Sequence, residues 1–213
     1  MTMAQISYTR IIDISIPLKA GTAVYPGNPP VELESFRSAS GSSTNSVIRM
    51  STHAGTHIDS PGHAFKEGLD IDDLSLNLFM GPCRVLDMTA SIGSISVSDL
   101  KTKDIRRGER ILLKTTNSDR GFETFYDDYV YLSGEAAEYL ANTGILLCGI
   151  DAWSIKQKGS TDNTPHTALL SRTIPILEGL DLKHVTEGSY TLVAFPLKIQ
   201  AKDGAPARAV LLG

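Results

Sequence analysis

His53-Ala-Gly-Thr-His57-Ile-Asp59-Ser-Pro61-Gly-His63 is the stretch on which the reading of this chain turns. The protein has five histidines, and three of them fall here beside a carboxylate. Imidazole nitrogen and carboxylate oxygen are the usual ligands of zinc and related divalent ions. His53, His57, Asp59 and His63 all carry odd numbers. In extended backbone, residues at even separations face the same way, so a mostly extended segment aims all four into one cavity. A helix serves the pattern less well. His53 and His57 would share a face, but Asp59 and His63 would not join them, and Gly55, Pro61 and Gly62 disfavour an unbroken helix. Gly55 permits a bend or a close backbone approach between ligands. The bland alternative is ordinary loop histidines with one solvated Asp59, a reading that would suit a lone histidine better than this cluster.

Outward from that stretch, 213 residues suit a single domain spanning 1–213, with ample room for a core. A hydrophobic content of 41% and a charged content of 21% are ordinary for a soluble globular protein. The net charge of -4 offers no basic footprint for nucleic acid. No apolar run approaches the roughly 20 residues of a membrane span. The start, MTMAQISYTRIIDISIPL, lacks a basic stretch followed by a continuous apolar one, so no secretory signal is expected. Cys83 in GPCRVLDM and Cys148 in GILLCGI read as reduced core residues, with no CxxC site, and a cytoplasmic location is the default expectation.

Strands are expected at Arg10 to Ile16, Ser46 to Thr52, Arg84 to Met88, Arg110 to Lys114, Ile145 to Ile150 and Tyr190 to Ile199. Ala207 to Leu212 follows an Asp203-Gly204 turn signal and is expected to close a hairpin. Helices are expected after the N-cap Ser133 with Gly144 past the end, over Ser96 to Lys103 with Ser96 and Asp99 in capping-box spacing, and from Thr164 with proline at its first position. Thr116 to Asp128 reads as a long surface loop. The mixture of strands and helices makes the class α/β with a mixed sheet.

Two further residues stand in unusual settings. His166 follows Pro165 near a helix start, and Glu178 lies in the apolar run IPILEGLDL. A buried, unpaired carboxylate costs several kcal/mol, which metal coordination would remove. The bland alternatives are a capping or surface role for His166 and a solvated turn for Glu178. His184 has no nearby partner in sequence and reads as surface or structural. Rival chemistries lack their motifs: there is no HExxH, no GxSxG, no P-loop and no GxGxxG after a strand.

The chain resembles the cyclase family of metal-dependent hydrolases, whose best-known members are bacterial kynurenine formamidases. The family pattern HxGTHxDxPxH is matched in full by His53 to His63. GPCRVLDM, GIDAWS, ILEGLDL and LVAFPLKIQAKDGAPARAVLL resemble family segments in the same order, so the resemblance covers nearly the whole chain. It implies a single compact α/β domain with a central mixed, barrel-like sheet and flanking helices, assembled as a homodimer or higher homo-oligomer. It implies two divalent metal ions per subunit, zinc first and manganese as an alternative. His53, His57 and Asp59 would hold one ion and His166 the second, with Asp59 and Glu178 touching both. His63 would be the proton donor and acceptor. The implied reaction is hydrolysis of N-formyl-L-kynurenine to L-kynurenine and formate by metal-activated hydroxide. The alternatives are a sibling hydrolase for another cyclic amide, lactam or small carbonyl compound, and a metal-containing binding protein without turnover.

Two departures fall where the family shapes its substrate pocket. The WPGD segment of the formamidases, whose aromatic packs on the substrate, is here Tyr25-Pro26-Gly27-Asn28. The Thr-Pro that often follows their GID triplet is here Ala152-Trp153. Tyr25 and Trp153 are the expected substrate-binding residues. A turn-supporting Tyr25 and a core-filling Trp153 are the alternatives.

Overall fold

The apolar runs of the sequence pair into one large sheet. A computed structural model describes residues 7–200 and 203–213; residues 1–6, the start of the stretch read above for a secretory signal, lie outside the described residues. The strands are β1 (Ile11–Asp13), β2 (Glu32–Arg37), β3 (Thr44–Arg49), β4 (His57–Asp59), β5 (Met80–Asp87), β6 (Ser94–Ile95), β7 (Arg110–Lys114), β8 (Tyr131–Leu132), β9 (Leu147–Ile150), β10 (Ile176–Glu178), β11 (Gly188–Val193), β12 (Gly204–Pro206) and β13 (Val210–Leu212). The α-helices are α1 (Val97–Lys101), α2 (Asn117–Arg120), α3 (Gly134–Thr143) and α4 (Thr164–Leu170). Nine strands form a mixed sheet in the order β1-β13-β11-β5-β7-β9-β10-β4-β12. Its middle, β5-β7-β9-β10, is parallel, and antiparallel strands flank it on both sides. The sheet curls into a half-barrel, and isolated bridges join Ser15 to Leu180 and Pro196 to Ala207 across it.

The parallel middle is buried on both faces, so β7 carries the unbroken apolar run Ile111-Leu112-Leu113 between its charged ends. Ile111 and Leu113 face a core shared with Ala137 and Leu140 of α3 and Leu169 of α4. Leu112, between them, faces a second core with Val85, Leu177 and Leu192. This alternation follows from the two-residue period of a strand. The helix ends match their sequence signals. Ser133 caps α3 through Ala136 N and Gly144 closes it in the left-handed conformation. Ser96 and Asp99 form the capping box of α1, and proline stands in the first turn of α4.

Four expectations need correction. The expected C-terminal hairpin does not form: β12 pairs with β4, whereas β13 lies between β1 and β11. The strand expected over Tyr190 to Ile199 stops at Val193, three residues before Pro196, which has no N–H to give a ladder. The segment Thr116 to Asp128 holds the short helix α2 rather than loop alone. The His53–His63 stretch is extended only over β4, because Pro61–His63 turns into a 3-10 helix.

Candidate functional site

Strand β4 carries His57 and Asp59 on one face while Ile58, between them, enters the core on the other. Its neighbour β10 runs antiparallel with Glu178 opposite His57, so the two acids and the imidazole share one face of the sheet. α4 brings His166 over that face, and the 3-10 turn returns His63 toward it. The His63 ring centroid lies 4.4 Å from that of His53 and 5.2 Å from that of His166. The structure therefore gathers His53, His57, Asp59 and His63 of one stretch with His166 of α4 and Glu178 of β10. His184 is exposed and stands apart.

Glycine makes the approach possible. Gly179, directly after Glu178, has φ +67, and a Cβ there would collide with the Gly55 carbonyl. Thr56 Oγ1 donates to Gly179 O at 2.5 Å and accepts from Ile16 N, tying the histidine loop to the end of β10. Gly204 of β12 lies opposite Asp59, where a Cβ would press on Ile58 O and the His53 ring.

Asp59 is fully buried, and Glu178 and His166 are 3% and 4% exposed. His57 Nδ1 lies 2.9 Å from Gly55 O, a carbonyl that can only accept, so this nitrogen carries the proton. In the neutral ring, Nε2 is then a bare lone pair. It lies 3.4 Å from Asp59 Oδ1 and 3.4 Å from Glu178 Oε2. His166 Nε2 lies 3.7 Å from Asp59 Oδ2 and 3.5 Å from Glu178 Oε1. Neither Asp59 oxygen has a hydrogen-bond partner among the described residues, nor does His57 Nε2. Electron-rich atoms converging in a dry site require a proton or a cation between them. One atom each from His53, His57 and Asp59, and one each from Asp59, His63 and His166, lie close enough together to hold a metal ion. The donor set therefore fits a divalent metal.

The titration of the metal-free site says the same. Burial opposes charge on His57, but the Asp59 and Glu178 carboxylates beside it outweigh that and lift the group to about 10. Burial likewise opposes ionisation of Asp59, yet the charges of His63 and His53 hold it well below the usual carboxylate range. In Glu178, burial and the Asp59 charge raise the pKa, and contacts with His166 and His57 bring it below normal. His63 is lowered, first by desolvation and then by the His53 and His166 rings, against the pull of Asp59.

A cavity of about 270 Å³ opens onto this cluster. Tyr25 and Trp153 both line it. Tyr25 packs edge-on against Phe125 at 5.6 Å, and Trp153 also belongs to the core, 5.1 Å from Phe122. The pocket and filling roles considered for Trp153 are thus compatible. A larger cavity and another more enclosed one lie elsewhere, but neither contains the converging donors.

Several neighbours escaped the sequence reading. Asp203 Oδ2 lies 3.4 Å from His53 Nε2 and accepts from Thr52 Oγ1, so it can orient that imidazole. Ile155 N donates to Glu178 Oε1 at 2.6 Å. Ser154, Lys156 and Asn163 line the cavity. The nearest sequence signal was the GIDAWS segment, which ends at Ser154, two residues before Lys156.

Comparison with known proteins agrees with this geometry. Residues 12–157 match the family model described as "Putative cyclase". A kynurenine formamidase of Salinibacter ruber is 40% identical over 204 residues, covering 94% of this chain and 96% of the relative. A solved structure from Bacillus stearothermophilus, described as a "predicted metal-dependent hydrolase", is 36% identical, with TM-score 0.85 over 95% of this chain and 97% of that one. Isatin hydrolase A from Labrenzia aggregata shares the fold at 21% identity, with TM-score 0.81 over 95% of this chain and 93% of that one.

Proposed function

The chain belongs to the cyclase family of metal-dependent hydrolases, and from that premise we propose that it hydrolyses N-formyl-L-kynurenine to L-kynurenine and formate. The observation that carries the metal-dependent chemistry is the buried Asp59 carboxylate, with no hydrogen-bond partner on either oxygen and imidazole nitrogens around it. In this reading His53, His57 and Asp59 would hold one divalent ion and His166 a second, with Asp59 and Glu178 serving both. Zinc is the first choice and manganese the alternative, since mixed nitrogen and oxygen ligands suit both. When bound, such ions supply a Lewis acid and an acidified water at neutral pH.

The chain's own residues do the rest. Tyr25 and Trp153 face the aryl ring and exclude water beside it. His63, exposed within the cavity rather than locked beneath it, takes the proton from the attacking water and returns it to the departing aryl nitrogen. The water oxygen joins the formyl carbon, the C–N bond breaks, and formate and the free amine leave. Glu178 is held for its task by Ile155 N, and His57 by the Gly55 carbonyl. We place the enzyme in the cytoplasm as a homodimer or larger assembly; buried, unpaired Cys83 and Cys148 suit a reducing compartment, and no described helix is long and apolar enough to cross a membrane.

The Tyr25 and Ala152-Trp153 departures favour one second reading, a sibling hydrolase acting on a cyclic amide. Turnover on a panel of formanilides and cyclic amides, with metal analysis of the same samples, separates the readings. Cleavage of N-formyl-L-kynurenine well above the cyclic amides supports the first. Cyclic-amide opening alone supports the second, and bound metal without turnover supports a binding protein.

A further inference from the structure

The cavity has a metal-type floor and aromatic walls, and one feature that hydrolysis of an amide does not require. Lys156 is the only lysine or arginine among its lining residues. Its backbone is pinned: Lys156 O accepts from Tyr129 OH at 2.7 Å, and the preceding N–H, that of Ile155, holds Glu178. The side chain is half-buried. Its Nζ donates to Asn163 Oδ1 at 3.3 Å, and no carboxylate lies within ion-pair distance among the described residues. The nearby Asp162 turns one oxygen to Thr164 N and Thr164 Oγ1 instead.

Asn163 is the N-cap residue of α4, yet its side chain makes no capping hydrogen bond. Capping is the usual use of asparagine at that position. Here its amide oxygen steers an ammonium at the foot of the helix that carries His166, whose own N–H bonds Asn163 O at 3.1 Å. A neutral amide positions the charge without neutralising it.

We propose that Lys156 is a specificity-determining residue that pairs with a carboxylate carried by the substrate away from the scissile amide. The pocket thereby selects aryl formamides that bear a carboxylate over those that lack one. This inference rests on the formamidase reading for its substrate, but not for its test.

Lys156→Gln keeps a polar side chain and removes the charge; Lys156→Arg restores a cation. With N-formyl-L-kynurenine, Lys156→Gln raises KM by about 10- to 100-fold with kcat little changed, the range for losing a charged hydrogen bond. With neutral formanilide it changes kcat/KM less than about twofold, a distinction loss of packing would not produce. Lys156→Arg recovers most of the loss. Binding is read in parallel through quenching of Trp153, the only tryptophan, by L-kynurenine or by neutral 2-aminoacetophenone. If neither formamide is cleaved but L-kynurenine binding weakens in Lys156→Gln and 2-aminoacetophenone binding does not, the formamidase reading fails and carboxylate recognition stands. Equal effects on the charged and neutral members of either pair, or none on the charged one, overturn the proposal.

Discussion

Glu178→Gln tests whether one carboxylate serves both halves of the cluster. The substitution keeps the volume and the acceptor for Ile155 N, and it replaces an anionic oxygen with an amide beside His57 or His166. Without metal, the lowered pKa of Glu178 means that its contacts with His166 and His57 outweigh burial and the Asp59 repulsion, so the metal-free variant should be less stable than wild type. With metal, loss of an anionic ligand shared by two ions should weaken both sites. A 100-fold loss at each corresponds to about 2.8 kcal/mol. The stabilisation follows by mass action. At a free metal concentration 100 times Kd, each site adds about 2.7 kcal/mol to wild type; after a 100-fold weakening it adds about 0.4 kcal/mol. For a chain of this size, 1 kcal/mol moves Tm by about 2–4 °C. The wild-type rise of about 5–11 °C per site should therefore shrink to about 1–2 °C. Calorimetry of chelator-stripped and zinc- or manganese-loaded protein, with elemental analysis, makes the measurement. A variant that retains two ions per chain with the wild-type Tm increment refutes the shared-ligand assignment.

His57→Ala should lose metal and activity together, whereas His63→Ala should keep its metal while kcat falls about 10²–10⁴-fold; metal loss in His63→Ala equal to that in His57→Ala makes His63 a ligand. Tyr25→Ala should raise KM for aryl formamides by an amount equivalent to about 1–3 kcal/mol, and an unchanged kcat/KM leaves Tyr25 a turn residue only. Metal affinity should rise with pH, because the ion displaces the proton that Asp59 and Glu178 hold on His57 up to about 10. As a raised histidine, that group stabilises the metal-free fold fully below its unfolded value near 6.5 and loses this contribution as pH rises to about 10. Chelator competition at pH 6, 7 and 8 should give nearly tenfold tighter binding per unit, and a flat profile counts against a proton on His57.

The local signals in the sequence carried well where the structure is local. The α3 cap at Ser133, the α1 capping box and the β7 run needed only neighbouring residues, and each formed as expected. Long-range pairing was less legible. Asp203-Gly204 signals a turn, but nothing near it specifies that β12 joins β4 while β13 crosses to β1 and β11. Register between distant three-residue strands is set by the closing sheet rather than by a short-range pattern. The candidate site shows the same division. The histidine motif exposed four of the gathered side chains, and the odd settings of His166 and Glu178 suggested two more. Asp203 was marked in the sequence only as a turn residue and Lys156 not at all; only the folded chain places one against His53 and the other beside the cavity.

The corrected shape of the histidine stretch also explains how its residues can differ in role. A fully extended segment would hold His63 on the same rigid ladder as His57 and Asp59. Pro61 instead opens a 3-10 turn, and His63 N bonds back to Ser60 O at 2.9 Å. Two side chains thus sit on a strand paired on both sides, against β10 and β12, where the backbone has little freedom. The third histidine hangs from a one-turn element outside those ladders, with its ring exposed in the cavity. Ligands gain from fixed positions, whereas a proton carrier must meet both the incoming water and the departing nitrogen. In the proposed mechanism, the proline-directed break between Asp59 and His63 would separate those requirements within four residues of sequence.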